Sequence, residues 1–316
     1  MLEVEHLTRR YGPITAVDDI SFQTHSGEIL GFLGPNGAGK TTTMRMITGY
    51  LPPTAGEVCI EGVGLRRDPL AAKRKIGYLP ELPPLYPELT VRDYLRFVAR
   101  LRHVAARERN TAVERAMERC ALSDVSGRVI GRLSKGYRQR VGIAQAILHN
   151  PRLLIFDEPT AGLDPRQILE TRQLIRGLAG DHTVILSTHI LSEAANTCQR
   201  VIIINRGRLV AVDTPENLTR RVKQTDTLLI ELRGAGAAAQ AAIAQLPGVS
   251  KAELLGEQDG IAKLRVESKD LATREAIARS LVASGYGLLE MKEVELTLEE
   301  IFLSLTGSSL PVAASA

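Results

Sequence analysis

An α/β fold followed by a second, α+β domain is predicted for this 316-residue chain, and three observations carry the prediction. Short apolar runs at 2–7, 29–33, 152–156, 183–187 and 201–205 alternate, in their later part, with helix-compatible stretches, as in a parallel sheet with crossover helices. A glycine-rich turn follows the run at 29–33 and opens a helix-compatible segment from 40 to 47 that stops at Gly49. Beyond residue 215 the order becomes strand (227–232), helix (235–246), strand (251–255), strand (260–266), helix (271–284), strand (288–295). That β-α-β-β-α-β succession is the split βαβ, ferredoxin-like arrangement.

The run at 29–33 is continuously apolar, which suits a strand buried on both faces. From about 82 to 150 the chain turns helical and arginine-rich, with Val91, Leu95, Val98 and Leu101 at helical spacing. This predicts a helical subdomain set into the α/β unit, entered through the proline-rich stretch 80–87. The α/β unit is expected over 1–215, a short polar and basic linker over 216–225, and the ferredoxin-like domain over 226–306. Its last helix is placed at 297–305, ahead of a disordered tail at 307–316. No internal repeat is found.

Composition narrows the function classes. Hydrophobic content of 44% and charged content of 24% are ordinary for a globular protein. No apolar run approaches the roughly 18 residues that span a bilayer. The start, Met1-Leu2-Glu3-Val4-Glu5-His6, carries acids where a signal peptide has bases and a long apolar core. A cytoplasmic chain is expected, reaching a membrane only through a partner. Cys59, Cys120 and Cys198 lie far apart with no C-x-x-C pair, so neither disulfides nor cysteine metal ligands are expected. The formal charge of +4 is unevenly spread: residues 92–140 hold 13 basic and 5 acidic side chains, residues 226–300 hold 8 and 13. The basic stretch reads as a solvated helical face, or as one lying near anionic lipid or an acidic partner. Nucleic acid is not expected, because the arginines show no regular interleaving with aromatic residues that would stack bases.

Gly34-Pro35-Asn36-Gly37-Ala38-Gly39-Lys40-Thr41 fits G-x-x-x-x-G-K-S/T between a strand and a helix, the context this phosphate-binding loop requires. Glycines let successive N–H groups turn inward toward phosphate oxygens, and the helix start adds partial positive charge there. Gly34, Asn36, Gly37, Ala38, Gly39, Lys40, Thr41 and Thr42 are the candidate phosphate-binding residues. Lys40 is expected to reach the β- and γ-phosphates, and the Thr41 hydroxyl to hold Mg²⁺. The apolar run ending in Asp157-Glu158-Pro159 brings two carboxylates out at a strand end. Asp157 is expected to hold Mg²⁺ and Glu158 to polarise the water that attacks the γ-phosphate of a bound nucleoside triphosphate.

Leu133-Ser134-Lys135-Gly136-Tyr137 lies shortly before that strand. Ser134 and the Gly136 N–H open a predicted helix from 137 to 148, forming a second anion site. Here the chain resembles the ATP-binding subunits of ABC transporters, whose signature is L-S-G-G-Q. The resemblance covers residues 1 to about 215. It implies ATP as substrate, Mg²⁺, and a homodimer or a pair with a paralogue, in which Ser134 and Gly136 of one chain grip the γ-phosphate held by the other. It also implies a membrane permease subunit as partner, pushed through the region around Glu81 and the helical subdomain. Tyr11 resembles the aromatic residue that stacks on adenine, and His189 the switch histidine that contacts the γ-phosphate. Asp164 resembles the residue linking the two sites across the dimer, and before Pro165 it is equally a helix N-cap.

Two departures stand out. Glu81 replaces the family's usual glutamine, and a carboxylate there would either bind Mg²⁺ or repel the γ-phosphate. The signature carries Lys135 for glycine and Tyr137 for glutamine, which places an added cation beside the opposing phosphate. With the acidic C-terminal module, these features resemble the exporter branch with separate ATPase and permease chains, of gliding-motility, drug- or polysaccharide-export type. The alternatives are a soluble ABC ATPase acting on ribosomes or DNA, and a nucleotide-gated regulatory module. A GTPase is not supported, since no N-K-x-D motif occurs.

Overall fold

The structure is a computed structural model that describes residues 1–222, 226–268, 271–294 and 302. The chain divides into two compact units, Met1–Pro215 and Glu216–Ala316.

The first unit contains two sheets. β1 (Leu2–Tyr11) and β2 (Ile14–Gln23) form an antiparallel hairpin. β3 (Ile29–Leu33) leaves for the other sheet and runs into α1 (Lys40–Ile47), after which β4 (Ala55–Ile60) and β5 (Val63–Gly64) return. The first sheet has the order β2-β1-β4-β5. Along β1, Leu2, Val4 and Leu7 are buried while Glu3 and Glu5 are exposed. This alternation marks an antiparallel sheet covered on one face, so the run at 2–7 does not join the parallel strands with which the sequence grouped it.

α2 (Pro69–Arg74) leads into β6 (Ile76–Leu79), and α3 (Val91–Leu101), α4 (Arg109–Arg119) and α5 (Lys135–Ile147) follow as the helical insertion. α3 begins where the Thr90 hydroxyl accepts the Asp93 N–H, at 3.1 Å, and buries Val91, Tyr94, Leu95 and Val98 along one stripe. The chain then re-enters the second sheet through β7 (Leu153–Asp157), α6 (Pro165–Arg176), β8 (Thr183–Thr188), α7 (Leu191–Thr197), β9 (Arg200–Asn205) and β10 (Arg208–Asp213). The strand order is β10-β9-β3-β8-β7-β6, parallel except at the β10 edge. Every residue of β3 and β7 is buried. Each large apolar side chain buried there contributes about 1.5–3 kcal/mol, offset by the entropy lost on ordering it. Register pairs Leu33 with Thr188 and Asp157 with Ser187, so the carboxyl ends of β3, β7 and β8 finish level at one edge. Ligands bind at that edge of open α/β sheets.

In the second unit, α8 (Pro215–Val222) takes up most of the stretch expected as linker. Proline at its first position and Glu216 in its first turn are helix-start features that outweigh the polar composition. β11 (Asp226–Arg233), α9 (Gly236–Ala244), β12 (Val249–Gln258), β13 (Ile261–Ser268), α10 (Leu271–Ala283) and β14 (Gly287–Val294) complete it. The antiparallel order β12-β13-β11-β14 is the ferredoxin-like one, with Leu228, Ile230, Leu264, Ile243, Ile277 and Leu281 in its core. The helix expected at 297–305 and the tail at 307–316 lie outside the described residues, apart from residue 302. Among the described residues no helix is long and apolar enough to cross a membrane.

Candidate nucleotide site

The glycine-rich loop occupies the step from β3 to α1. Gly39 stands at the helix N-cap with φ 107°, and a Cβ there would lie 2.6 Å from the Ala16 carbonyl oxygen. At Gly34 a Cβ would come within 2.4 Å of the Ile204 oxygen. Both positions therefore demand glycine. No side chain caps α1, so its first amides point into the loop without a protein side-chain acceptor. The Ala38 amide donates to the Pro35 carbonyl, at 3.1 Å. Lys40 is buried, with Nζ donating to the carbonyls of Gly34 (2.8 Å) and Pro35 (3.3 Å) and lying 3.4 Å from Glu158 Oε1. The ammonium thus folds over its own loop, where a phosphate would be a stronger acceptor than two carbonyls.

Asp157 ends β7 and is only 1% exposed. Its Oδ1 accepts the hydroxyls of Ser187 (2.5 Å) and Thr41 (3.4 Å), while Oδ2 is buried without a hydrogen-bond partner. Burial pushes its carboxyl above the usual range. The Ser187 and Thr41 hydrogen bonds pull it back, and the charge of Glu81 pushes it up again. A buried, unpartnered carboxylate oxygen beside a threonine hydroxyl is a donor set that suits a hard divalent cation. No group of three acids, histidines or cysteines that could cage a metal occurs among the described residues. Such an ion would take its remaining ligands from phosphate and water.

Glu158 follows directly and has a left-handed backbone, φ 50°, a conformation that costs a non-glycine residue on the order of 1 kcal/mol or more. Its N–H donates to the Ser187 carbonyl (3.1 Å), which holds this turn against β8. Oε2 lies 2.8 Å from His189 Nδ1, just past the end of β8. The carboxylate is nearly buried, whereas the His189 side chain is 44% exposed.

Asn36, Gly37, Gly39, Lys40, Thr41, Thr42, Glu81, Glu158 and His189 line one hollow of about 280 Å³. Ala16 and Ala161 complete it; Ala161 opens the stretch that ends in Asp164, whereas nothing in the local sequence marks Ala16. Ser134, Gly136 and Asp164 lie elsewhere, in a hollow of about 370 Å³ shared with Tyr137, Arg140 and Gln167. Ser134 caps α5 by accepting the Tyr137 N–H (3.3 Å), and Asp164 caps α6 by accepting the Gln167 N–H (2.9 Å). Tyr11 lines neither hollow; its ring is 45% exposed and carries the Arg9 guanidinium 4.7 Å above it. The Lys135 ammonium rests against the chain's own loop, where a Cβ on Gly162 would come within 2.2 Å of it. Size alone does not mark the site. A hollow of about 840 Å³ lies where α3 and α5 end, with Arg102 at the carbonyl end of α3.

Residues 17–161 match the sequence model of the family described as ABC transporter. The bacitracin transport ATP-binding protein BcrA of Bacillus licheniformis is 35% identical over 97% of this chain and 97% of its own length. The linearmycin resistance ATP-binding protein LnrL of Bacillus subtilis is 33% identical over 98% and 99%. The chain belongs to the ABC transporter family. It is an ATP-binding subunit of that family and an ATPase. A solved ATP-binding subunit of an ABC transporter superposes with TM-score 0.64 at 33% identity, covering 70% of this chain and 93% of that one. The ATP-binding cassette MJ0796, in a dimeric post-hydrolysis state bound to ADP and Pi, gives TM-score 0.61 at 26% identity, covering 68% and 98%. The loop from Gly34 to Thr41 lies within the residues that match the family model.

Proposed function

We propose that this ABC subunit pairs head to tail with a second copy or a paralogue, closes on two ATP molecules, and drives export through a separate membrane permease. The observation that carries the pairing is the separation of the two hollows. The phosphate-binding loop stands in one and Ser134, Gly136 and Asp164 in the other, so each needs a facing chain to become a complete site.

In this reading ATP displaces the Lys40 ammonium from the Gly34 and Pro35 carbonyls and draws it away from Glu158 onto the β- and γ-phosphates. The loop amides hold the same phosphates and Tyr11 stacks on adenine. Thr41 and Asp157 would hold Mg²⁺, and Glu81 lines the same hollow as Thr41. The ion would supply charge neutralisation at the phosphate oxygens. Glu158 accepts a proton from the attacking water as its oxygen bonds to the γ-phosphorus and ADP leaves. His189 orients Glu158 and contacts the γ-phosphate. Ser134 and Gly136 of the facing chain grip that phosphate, and Asp164 links the two sites.

A groove of about 490 Å³ beside the helical insertion offers the permease contact. Tyr50 and Leu82, both 80% exposed, line it with Tyr78 and Pro84, and so do the cations Arg45, Lys73 and Arg102. An amphipathic cytoplasmic helix of the permease, apolar on one face and acidic beside it, is the occupant that this mixed lining suits. Export is supported by the relatives named for bacitracin transport and linearmycin resistance. The subunit then works at the inner face of the cell membrane, held there by the permease.

The test is affinity capture of tagged Glu158→Gln from detergent-solubilised membranes of its own host, with ATP and Mg²⁺. A multi-spanning membrane protein is the expected companion. Ribosomes or DNA-bound proteins captured from the soluble fraction would overturn the transporter reading in favour of a soluble ABC ATPase.

A further inference from the structure

The acid that ties the two halves of the hydrolytic pair together is Glu193, on α7. Its carboxylate is buried, at 2% exposure, and Oε2 accepts two hydroxyls, from Thr160 at 2.8 Å and from Thr188 at 3.2 Å. Oε1 lies 3.2 Å from Arg172 Nη2, on α6. Each partner belongs to a different part of the site. Thr160 stands two residues after Glu158, in the turn with the left-handed backbone. Thr188 immediately precedes His189, and its hydroxyl also accepts the Ile190 N–H at 3.0 Å, which shapes the turn carrying the histidine. Arg172 rides on the helix that Asp164 caps. A buried carboxylate is costly unless hydrogen-bonded and paired; here Oε2 takes the hydrogen bonds, and Oε1, with none of its own, takes the ion pair.

We propose that Glu193 is a positioning residue for hydrolysis, clamping the Glu158 turn to the His189 turn so that the 2.8 Å contact between them is held before ATP arrives. The inference rests on the reading of Glu158 as base. Glu193 touches neither substrate nor reacting atoms; it acts through Thr160 and Thr188. A single carboxylate oxygen shared by both hydroxyls makes the two turns move as one, and displacements of about 1 Å at a catalytic group cost up to a hundredfold in rate.

Removing the buried acid outright endangers folding, so the decisive variant cuts one tie and leaves the ion pair with Arg172 in place. Thr160→Val keeps the side-chain shape and loses the hydroxyl, whereas Thr160→Ser keeps the hydroxyl. Steady-state phosphate release is measured for both, with Glu193→Gln and Glu158→Gln alongside and thermal unfolding as a check on folding. Thr160→Val is expected to lower kcat about tenfold or more with the KM for ATP within about twofold, and Thr160→Ser to stay near the parent. Glu193→Gln, whose amide oxygen can still accept both hydroxyls, removes only the charge facing Arg172 and should keep more of the parent kcat than Thr160→Val. Parent-like kcat in Thr160→Val, with Glu158→Gln inactive, overturns the positioning role and leaves the base reading standing. Loss of kcat and KM together with a lowered unfolding temperature overturns it too, since general destabilisation would explain that pattern. A Glu158→Gln chain that turns over at the parent rate removes the base reading, and the inference falls with it.

Discussion

Glu158 Oε2 lies 2.8 Å from His189 Nδ1, although the two residues stand on turns at the ends of different strands, 31 positions apart. Parallel pairing of Asp157 with Ser187 sets those strand ends level. The other carboxylate oxygen, Oε1, lies 3.4 Å from Lys40 Nζ, at the hollow that the phosphate-binding loop lines. Glu158→Gln is expected to lower kcat by about 10²–10⁴-fold, the usual size of a lost general base. ATP affinity should stay close to the parent, because the amide keeps the shape and hydrogen-bonding reach of the acid. Phosphate release and equilibrium nucleotide binding, measured on one preparation, separate the two effects. Parent-rate turnover would mean that another group takes the proton.

In the proposed reading Lys40 acts at a different stage. Its ammonium is buried against Gly34 O, Pro35 O and Glu158, three acceptors that a phosphate replaces at no loss of hydrogen bonding. Lys40→Met should weaken ATP binding by about 10–100-fold, the range of a charge-assisted hydrogen bond worth ~1.5–3 kcal/mol. The resting fold should survive, since the thioether chain fills the same space. Titration with a fluorescent ATP analogue reads the change; an unaltered Kd would show that the loop amides alone hold the phosphates.

Gly39 is the backbone test of the same loop. Alanine there must adopt φ 107° and place its Cβ 2.6 Å from a main-chain oxygen, which no side-chain rotation relieves. Gly39→Ala should cost at least about 1–3 kcal/mol and lower the unfolding temperature by several degrees. Nucleotide binding should be lost to the same or a greater degree as the loop moves off Ala16. A variant that melts and binds like the parent would show that this loop is not held as the structure has it.

The loop and the Asp157-Glu158 strand end were legible in the sequence because each is one contiguous stretch whose chemistry depends on its own spacing. The ferredoxin-like order was legible for a similar reason, its strands and helices alternating within some 70 residues. The β1–β2–β4–β5 sheet was harder to read, since its strands are separated by β3 and α1 and signal only through one-sided alternation. Ser187 donating to Asp157, and Glu193 joining Thr160, Thr188 and Arg172, depend on pairings between segments that no local pattern announces. Lys135 shows the reverse case. Its position in the signature suggests a cation facing an opposing phosphate, and within one chain the flexible stem lays the ammonium against Gly162, a contact that no spacing announces.

His149 makes stability depend on pH with a sign opposite to that of a salt-bridged histidine. Burial, then the neighbouring Arg102 charge, holds its imidazole down at about 4, against the partial restoring effect of its hydrogen bond with the Ile76 carbonyl. Above the ordinary histidine value of 6.5 both folded and unfolded chains leave it neutral, and it has no effect on the slope. Between 6.5 and about 4 the unfolded chain takes a proton that the folded chain refuses, so stability falls as pH falls. At pH 5 the deficit from this group is about 2 kcal/mol, from 1.4 kcal/mol per pH unit. His182 is lowered, again mainly by burial, and adds to the loss, whereas Asp157, raised by burial, works against it. His149→Gln keeps an N–H for the Ile76 carbonyl and removes the titration. Urea midpoints at pH 7.5 and pH 5 should therefore differ less in this variant than in the parent, by an amount equivalent to about 2 kcal/mol. An equal shift in both chains would show that the acid-labile group lies elsewhere.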